Sequence, residues 1–282
     1  GHRALWRFTR FKNKSPIVPF GMLMDVLPSH RRAHINIPEV YVQEFAKNGF
    51  GLLAARGKAS TSFNVMLQNI DFAPDRFIIS KYREYGEVTA TTAHKVYASK
   101  VGKILGCPAW HWSVWVSPEK YTYRDIGAKE NIIVVSPDLI PERDRILAAL
   151  HRSLPEYQII KIWGFTYEEY KKLIGRARYS LTFGEGLDGY FVEPILSGSV
   201  GLAVYNDRFF TEEYRNLAGV FRSWTDLELR LPGLIRDMSS DRYDQIRGEQ
   251  YVAVTRNYAH AEYSGNLRKY YGDLSIAGLK SL

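Results

Sequence analysis

Apolar and polar positions in the second half of the chain fall into blocks that switch between two periods. Residues 132–135 are four consecutive β-branched side chains, the run expected of a strand covered on both faces in a parallel sheet. Pro141 then stands where a helix tolerates it, in the first turn. Ile146, Leu147 and Leu150 make an apolar stripe at helical spacing, which Pro155 closes. A second strand is predicted over 157–162. Thr166 and Glu169 form a capping box for the next helix, whose buried face is Tyr170, Leu173, Ile174 and Ala177. Strands follow over 179–183 and 200–204, separated by a glycine-rich loop and a short helix over 190–196 that Gly198 ends. A short strand at 220–221, a helix over 224–237 and two further helical segments complete the pattern. Four to five βα units in about 125 residues predict a Rossmann-like α/β domain.

The first half is patterned less evenly. Residues 17–26 read as a strand interrupted by Pro19 and Gly21. Pro38 opens a helix that runs through Lys47 and stops at Asn48-Gly49. Strands are predicted over 63–70, 77–80 and 113–117. A helix is predicted over 91–105, with Val96, Val101 and Leu105 on its apolar face and Gly106 and Pro108 ending it.

Composition bounds the class. The chain has 282 residues, 45% hydrophobic and 24% charged, which excludes disorder and low complexity and suits two modest domains or one large one. Cys107 is the sole cysteine, which excludes a disulfide framework and a cysteine-rich zinc site and fits a cytoplasmic location. No apolar run approaches the roughly 20 residues that span a bilayer. The net charge of +8 is uneven. Up to Asp125 there are 18 Lys and Arg against 9 Asp and Glu; beyond it, 20 against 21. Such asymmetry suggests two domains with different partners. The basic half holds Arg3, Arg7, Arg10, Lys12 and Lys14 among Trp6, Phe8 and Phe11, then His30-Arg31-Arg32-Ala33-His34. This surface either serves solubility or attracts phosphate-rich material such as an anionic membrane surface. Without zinc-finger spacing, an RRM-type motif or a basic heptad helix, nucleic acid is not an expected partner.

Candidate chemistry lies at 180–194, because ligands of open parallel sheets bind outside the carboxyl ends of strands. Gly184, Gly186 and Gly189 let a ligand approach the backbone, and the helix after them offers free amides to a phosphate. Glu185 and Glu193 bracket the loop with seven residues between them. Carboxylates there orient sugar hydroxyls, although this spacing also arises by chance in a chain with 30 acidic residues. Trp110, Trp112 and Trp115 either stack on sugar rings or pack a core. Cys107 and His111 lack the partners zinc needs. No Walker loop, Gly-x-Ser-x-Gly elbow or dinucleotide fingerprint is present in its proper context.

Three stretches, taken in order, resemble the C-terminal, donor-binding domain of GT-B glycosyltransferases. They are Tyr167-Glu168-Glu169-Tyr170 through Arg178, then Phe183-Gly184-Glu185-Gly186, then Glu193-Pro194-Ile195-Leu196-Ser197-Gly198-Ser199-Val200-Gly201-Leu202-Ala203-Val204-Tyr205-Asn206. The match runs from about Ile132 to the end, roughly half the chain. The resemblance implies an α/β, GT-B-like fold: two Rossmann-like domains facing a cleft, the N-terminal one reduced or irregular. The domains would be 1–128 on the acceptor side, 129–255 for the nucleotide-sugar, and 256–282 as a helical segment crossing back to the first. It assigns Glu193 to the ribose hydroxyls and Glu185 to the donor sugar as the catalytic carboxylate. Gly186, Leu187, Asp188, Gly189 and Tyr190 would line the diphosphate or sugar. The family often has an Arg and a Lys after the first strand of this domain; Arg143, Arg145 or Lys161 would take that place here. An inverting enzyme needs a general base in the first half, where His34, His94, Glu39 and Asp25 are the available types and His34 is the choice.

The resemblance covers retaining and inverting enzymes alike. With no Asp-x-Asp, it implies no essential metal and no cofactor beyond the nucleotide-sugar donor. The expected activity is sugar transfer to a glycan or lipid-linked acceptor in bacterial-type surface polysaccharide synthesis, by a cytoplasmic, membrane-associated enzyme. A nucleotide-sugar epimerase or hydrolase and a non-catalytic sugar- or nucleotide-binding protein are the alternatives.

Overall fold

The computed structural model describes residues 20–28, 31–53 and 60–280, with side chains through 274. Two compact units emerge, one formed by 115–260 and the other by the described residues up to Val114 together with those from Ala261 onward.

In the latter unit, four strands lie parallel in chain order: β1 (Ala33–Pro38), β2 (Thr61–Leu67), β3 (Glu87–Thr92) and β4 (Ala109–His111). The helices between them are α1 (Phe20–Val26), α2 (Val42–Asn48), α3 (Arg76–Tyr85) and α4 (Ala98–Leu105). Phe45, Phe50, Phe63 and Tyr82 form an aromatic cluster under the sheet, and the Tyr82 hydroxyl donates to the Val42 carbonyl at 2.7 Å. Gly86 admits β3 beside β2, since a Cβ there would stand 2.1 Å from the Thr61 carbonyl oxygen.

Several sequence expectations need correction here. Residues 20–26 are helix rather than strand, and 17–19 lie outside the described residues. The apolar triplet Phe77-Ile78-Ile79 belongs to α3: Asp75 accepts from the Ile78 amide at 2.8 Å and starts a helix that buries Ile79 and Tyr82 while Phe77 faces water. Thr91 and Thr92 end β3, so the helical pattern over 91–105 holds from Ala98 onward; Gly106 terminates α4 at φ +66°. Residues 113–117 form no strand. Ser113 sits at φ +59°, the left-handed region that breaks an extended chain.

The 115–260 unit matches the predicted alternation closely. It contains β5 (Glu130–Val135), α5 (Arg143–Ser153), β6 (Gln158–Lys161), α6 (Tyr167–Arg176), β7 (Ala177–Leu181), α7 (Gly189–Leu196), β8 (Val200–Val204), β9 (Val220–Phe221), α8 (Trp224–Arg236) and α9 (Ser240–Asn257). The strands are parallel in the order β6-β5-β7-β8-β9. The capping box is formed: Thr166 Oγ1 accepts from the Glu169 amide at 3.3 Å, and Glu169 Oε2 accepts from the Thr166 amide at 2.7 Å. Ile133, Val135, Tyr179, Leu181, Val200 and Leu202 pack with Ile146, Leu150, Leu227 and Leu231 in one core.

A last helix, α10 (His260–Lys280), runs almost wholly within the first unit, where the Tyr270 hydroxyl reaches Thr89 Oγ1 at 2.8 Å and His34 Nε2 at 2.9 Å. No helix among the described residues is long and apolar enough to cross a membrane.

Candidate functional site

The strand order of the 115–260 unit reverses direction beside β5: the chain leaves β5 for β6 on one side and returns to β7 on the other. The crevice at the carboxyl ends of β5 and β7 is the topological switch point, where open α/β sheets bind ligands. Backbone pairing sets its floor. Ser136, just past β5, donates its amide to the Leu181 carbonyl at 3.0 Å, and its Oγ accepts from the Phe183 amide at 2.9 Å. Thr182 Oγ1 donates to Asp188 Oδ2 at 2.8 Å and accepts from the Gly184 amide at 3.2 Å. Asp188 Oδ1 in turn accepts from the Phe191 amide at 3.1 Å and caps α7.

Acidic groups gather on this floor. A Cβ on Gly184 would lie 2.8 Å from Asp138 Oδ2 and 3.1 Å from Asp188 Oδ2, so the loop backbone passes close to two carboxylates. Burial pushes the Asp188 carboxyl up to about 7, against its bond to Thr182, and the charges of Asp138 and Glu185 add to the rise. Glu193, on α7, is enclosed by tyrosines. The hydroxyls of Tyr121 and Tyr170 donate to its carboxylate, and the Tyr121 and Tyr167 oxygens lie 2.6 Å apart. Burial lifts Glu193 to about 7 despite those bonds.

Beside this acidic loop opens a cavity of about 480 Å³. Its walls are Ile140, Phe183, Val204, Tyr205, Asn206 and Trp224, with Arg215 at one side. Phe183 and Trp224 stack with centroids 5.5 Å apart, and the Arg143 guanidinium lies 5.8 Å from the Phe183 ring. Arg143 is 7% exposed, and its buried Nε has no hydrogen-bond partner among the described residues. An aromatic, partly polar pocket next to one buried cation and several carboxylates is suited to a ligand with a planar ring, an anionic centre and hydroxyls.

The structure thus brings Glu185, Asp188 and Arg143 to the switch point, with Gly186 at φ +90° under the Phe210 ring. Leu187 is buried, and Tyr190 meets the Tyr170 ring edge-on at 6.1 Å while its carbonyl accepts from Ser180 Oγ at 2.6 Å. The Gly189 carbonyl accepts from the Tyr170 hydroxyl at 3.4 Å.

Lys161, exposed, ends β6 opposite Val135, the last residue of β5, with its ammonium 5.4 Å from the Trp163 ring. Other candidates are placed elsewhere. Arg145 pairs with Glu228 on α8. His34 stands opposite Ser62 in the β1–β2 register; its Nδ1 meets Ser62 Oγ at 2.9 Å while Nε2 meets Tyr270. Both ring nitrogens are occupied, and burial lowers the imidazole pKa. Glu39 accepts from the Gln68 and Asn69 amides and holds the turn after β2; His94 is buried, and Asp25 is exposed on α1. Trp110 donates to Asp273 and Trp112 packs on Tyr270 at 5.2 Å, so these two act in packing, whereas Trp115 is 39% exposed. Arg31 and Arg32 are exposed; His30 and the cations Arg3 to Lys14 lie outside the described residues. Asp138, Tyr121, Tyr205, Asn206, Trp224 and Arg215 were not singled out from sequence. Asp138, Tyr205 and Asn206 could have been found by taking the residues just beyond every predicted strand.

No protein-family profile and no curated protein sequence matches the chain. Solved structures do. Accessory secretory proteins 1, 2 and 3 of Streptococcus pneumoniae match with a TM-score of 0.57 at 10% identity, over 92% of this chain and 56% of that one. An α,α-trehalose-phosphate synthase (UDP-forming) from Burkholderia vietnamiensis matches with a TM-score of 0.55 at 11% identity, over 91% and 78%. HepE of Anabaena, in complex with UDP, matches with a TM-score of 0.53 at 9% identity, over 84% and 78%. At these identities the likeness is one of fold, and the fold is that of GT-B glycosyltransferases.

Proposed function

We propose that this chain is a glycosyltransferase that takes a sugar from a nucleotide-sugar and passes it to a glycan or lipid-linked acceptor. The observation that carries the reading is the β5–β7 switch point itself. A stacked aromatic pocket, a buried arginine and a carboxylate-bearing glycine loop meet there within one set of strand ends. The UDP bound to HepE and the UDP-forming name of the trehalose-phosphate synthase support a nucleotide as the donor's carrier.

In this reading the planar base enters the pocket of Phe183, Tyr205 and Trp224, and the Arg143 guanidinium faces the diphosphate. Arg143 stabilises the charge that develops as the diphosphate departs, with amides of the 184–190 loop beside it. Glu185 accepts from donor-sugar hydroxyls and fixes the ring for attack. Glu193, caged by its tyrosines, acts as a ribose acceptor or holds α7 in place. Transfer without a metal, in surface polysaccharide synthesis at an anionic membrane face contacted through Arg31 and Arg32, completes the proposal.

The experiment is thermal denaturation against a panel of nucleoside diphosphates and nucleotide-sugars, with and without EDTA, followed by an assay of nucleotide release. A ligand at about 100 times its Kd adds roughly 2.7 kcal/mol of stability. One nucleotide class should raise the Tm, and Arg143→Met should abolish the shift. Glu185→Gln should remain folded and lower turnover by roughly 10²-fold. Turnover within a few-fold of wild type would remove Glu185 from the site. Release without acceptor would point to a hydrolase, and binding without turnover to a binding protein.

A further inference from the structure

A second concave site lies along the sheet edge formed by β9 in the same unit, adjoining the switch-point pocket at Arg215, which lines both. Its volume is about 560 Å³, and its wall carries four arginines, Arg215, Arg222, Arg230 and Arg242, against one acid, Asp226. The concentration is local. Residues 115–260 as a whole contain 19 Lys and Arg and 21 Asp and Glu, so a net positive groove here runs against the charge of its unit.

Local structure aims these side chains at one space. Asp226, Leu229, Arg230 and Gly233 recur at helical spacing and give one face of α8 to the groove. Arg222 ends the β9 turn, where its amide donates to Asp226 Oδ2 at 3.0 Å, and Arg242 stands in the first turn of α9. The existing partners leave the charge largely uncompensated. Arg230 meets Asp226 at 3.4 Å with its side chain 68% exposed, and Arg242 bonds the neutral Gln245 at 2.8 Å. Among the described residues, Arg215 is paired with an acid from outside the wall, Glu212 at 2.7 Å.

We infer that this groove binds a compact oligophosphate, an anion of three or more charges. Guanidinium groups offer planar, paired donors that match phosphate oxygens, and several converging on one concavity favour a dense anion over single carboxylates. Concavity also favours a discrete ligand over a flat bilayer: Leu229 is the one large apolar side chain in the wall that is strongly exposed, and the aromatic residue of the wall, Phe221, is buried and offers no interfacial anchor. Arg215 is shared with the switch-point pocket, but Arg222, Arg230 and Arg242 lie outside its walls, so the inference does not rest on the sugar-transfer reading.

The test is isothermal titration of the full chain with sodium tripolyphosphate, repeated with saturating UDP present and in the Arg222→Gln/Arg230→Gln variant. Both side chains are exposed, and circular dichroism checks that the variant folds. Tripolyphosphate should bind in the presence of UDP, at least tenfold more weakly in the variant, and more weakly as salt rises. The response to nucleotide should be the same in both proteins. Equal affinity in the variant, loss of binding under UDP, or binding to anionic vesicles without tripolyphosphate binding would each overturn the inference. The last would make the patch a membrane contact.

Discussion

Asp188 and Glu193 show at the scale of single residues how burial changes chemistry. Both carboxyls are lifted to about 7, and in both the largest cause is loss of water. Raised above its unfolded value, each group gives stability that is fully present below pH about 4 and is lost as pH rises toward 7. A one-unit shift corresponds to about 1.4 kcal/mol, and partial exposure of both side chains reduces the effect, so the pair should cost on the order of 2 kcal/mol by pH 8. Melting curves from pH 5 to 8 should show the Tm falling with pH, and Glu193→Gln should flatten the slope and raise the Tm at pH 8. An unchanged slope in that variant would mean that Glu193 stays ionised throughout. None of this was visible in the sequence, which contains both acids and the tyrosines but not the enclosure of one by the other. Tyr121 lies 72 positions before Glu193 and reaches it only through the fold.

Elements are held by a different economy. Lys129 is 4% exposed, and its ammonium donates to the carbonyls of Ile174, Gly175 and Ala177 at 3.3–3.4 and 3.0 Å and to Ser199 Oγ at 3.1 Å. It therefore ties the end of α6 and the start of β7 to the turn before β8. Burial, with Arg124 and Arg247 nearby, lowers its pKa to about 7. Lys129→Met should remove those bonds and cost about 1–3 kcal/mol. For a chain of this size that is a Tm loss of several degrees, read in paired melts; a change below about 1 °C would show that Ser199 alone satisfies the carbonyls. The elements themselves were readable where pattern and punctuation agreed. Thr166 with Glu169 marked α6, and four β-branched residues marked β5. Reading failed at 77–80, where three apolar residues in a row looked extended and the deciding contact was the Asp75 cap.

Across the whole molecule, one unit is assembled from two distant pieces of chain. Tyr270 of α10 is fully buried against Trp110 and Trp112, with its hydroxyl on Thr89 and His34. Ending the chain after His260 removes that side chain and leaves buried polar groups of β1–β3 without it. Hydrogen exchange should then accelerate in 33–37, 61–67 and 87–92 while 130–135 and 177–181 stay protected. Uniform protection across both sheets would show that α10 adds nothing to the first unit's stability.

The sequence by itself determined the α/β class, the strands and helices from 130 to 257, and the loop at which glycines and carboxylates concentrate. Those depend on short-range periodicity, caps and glycines, which neighbours a few residues apart enforce. Only the tertiary structure decided which charges share a space. It joined Asp138 to Asp188, placed Arg143 rather than Arg145 beside Phe183, occupied both nitrogens of His34, and gathered four arginines along β9. Electrostatic and hydrogen-bond partners are set by strand order and by which way each side chain leaves its element, and a linear pattern carries neither.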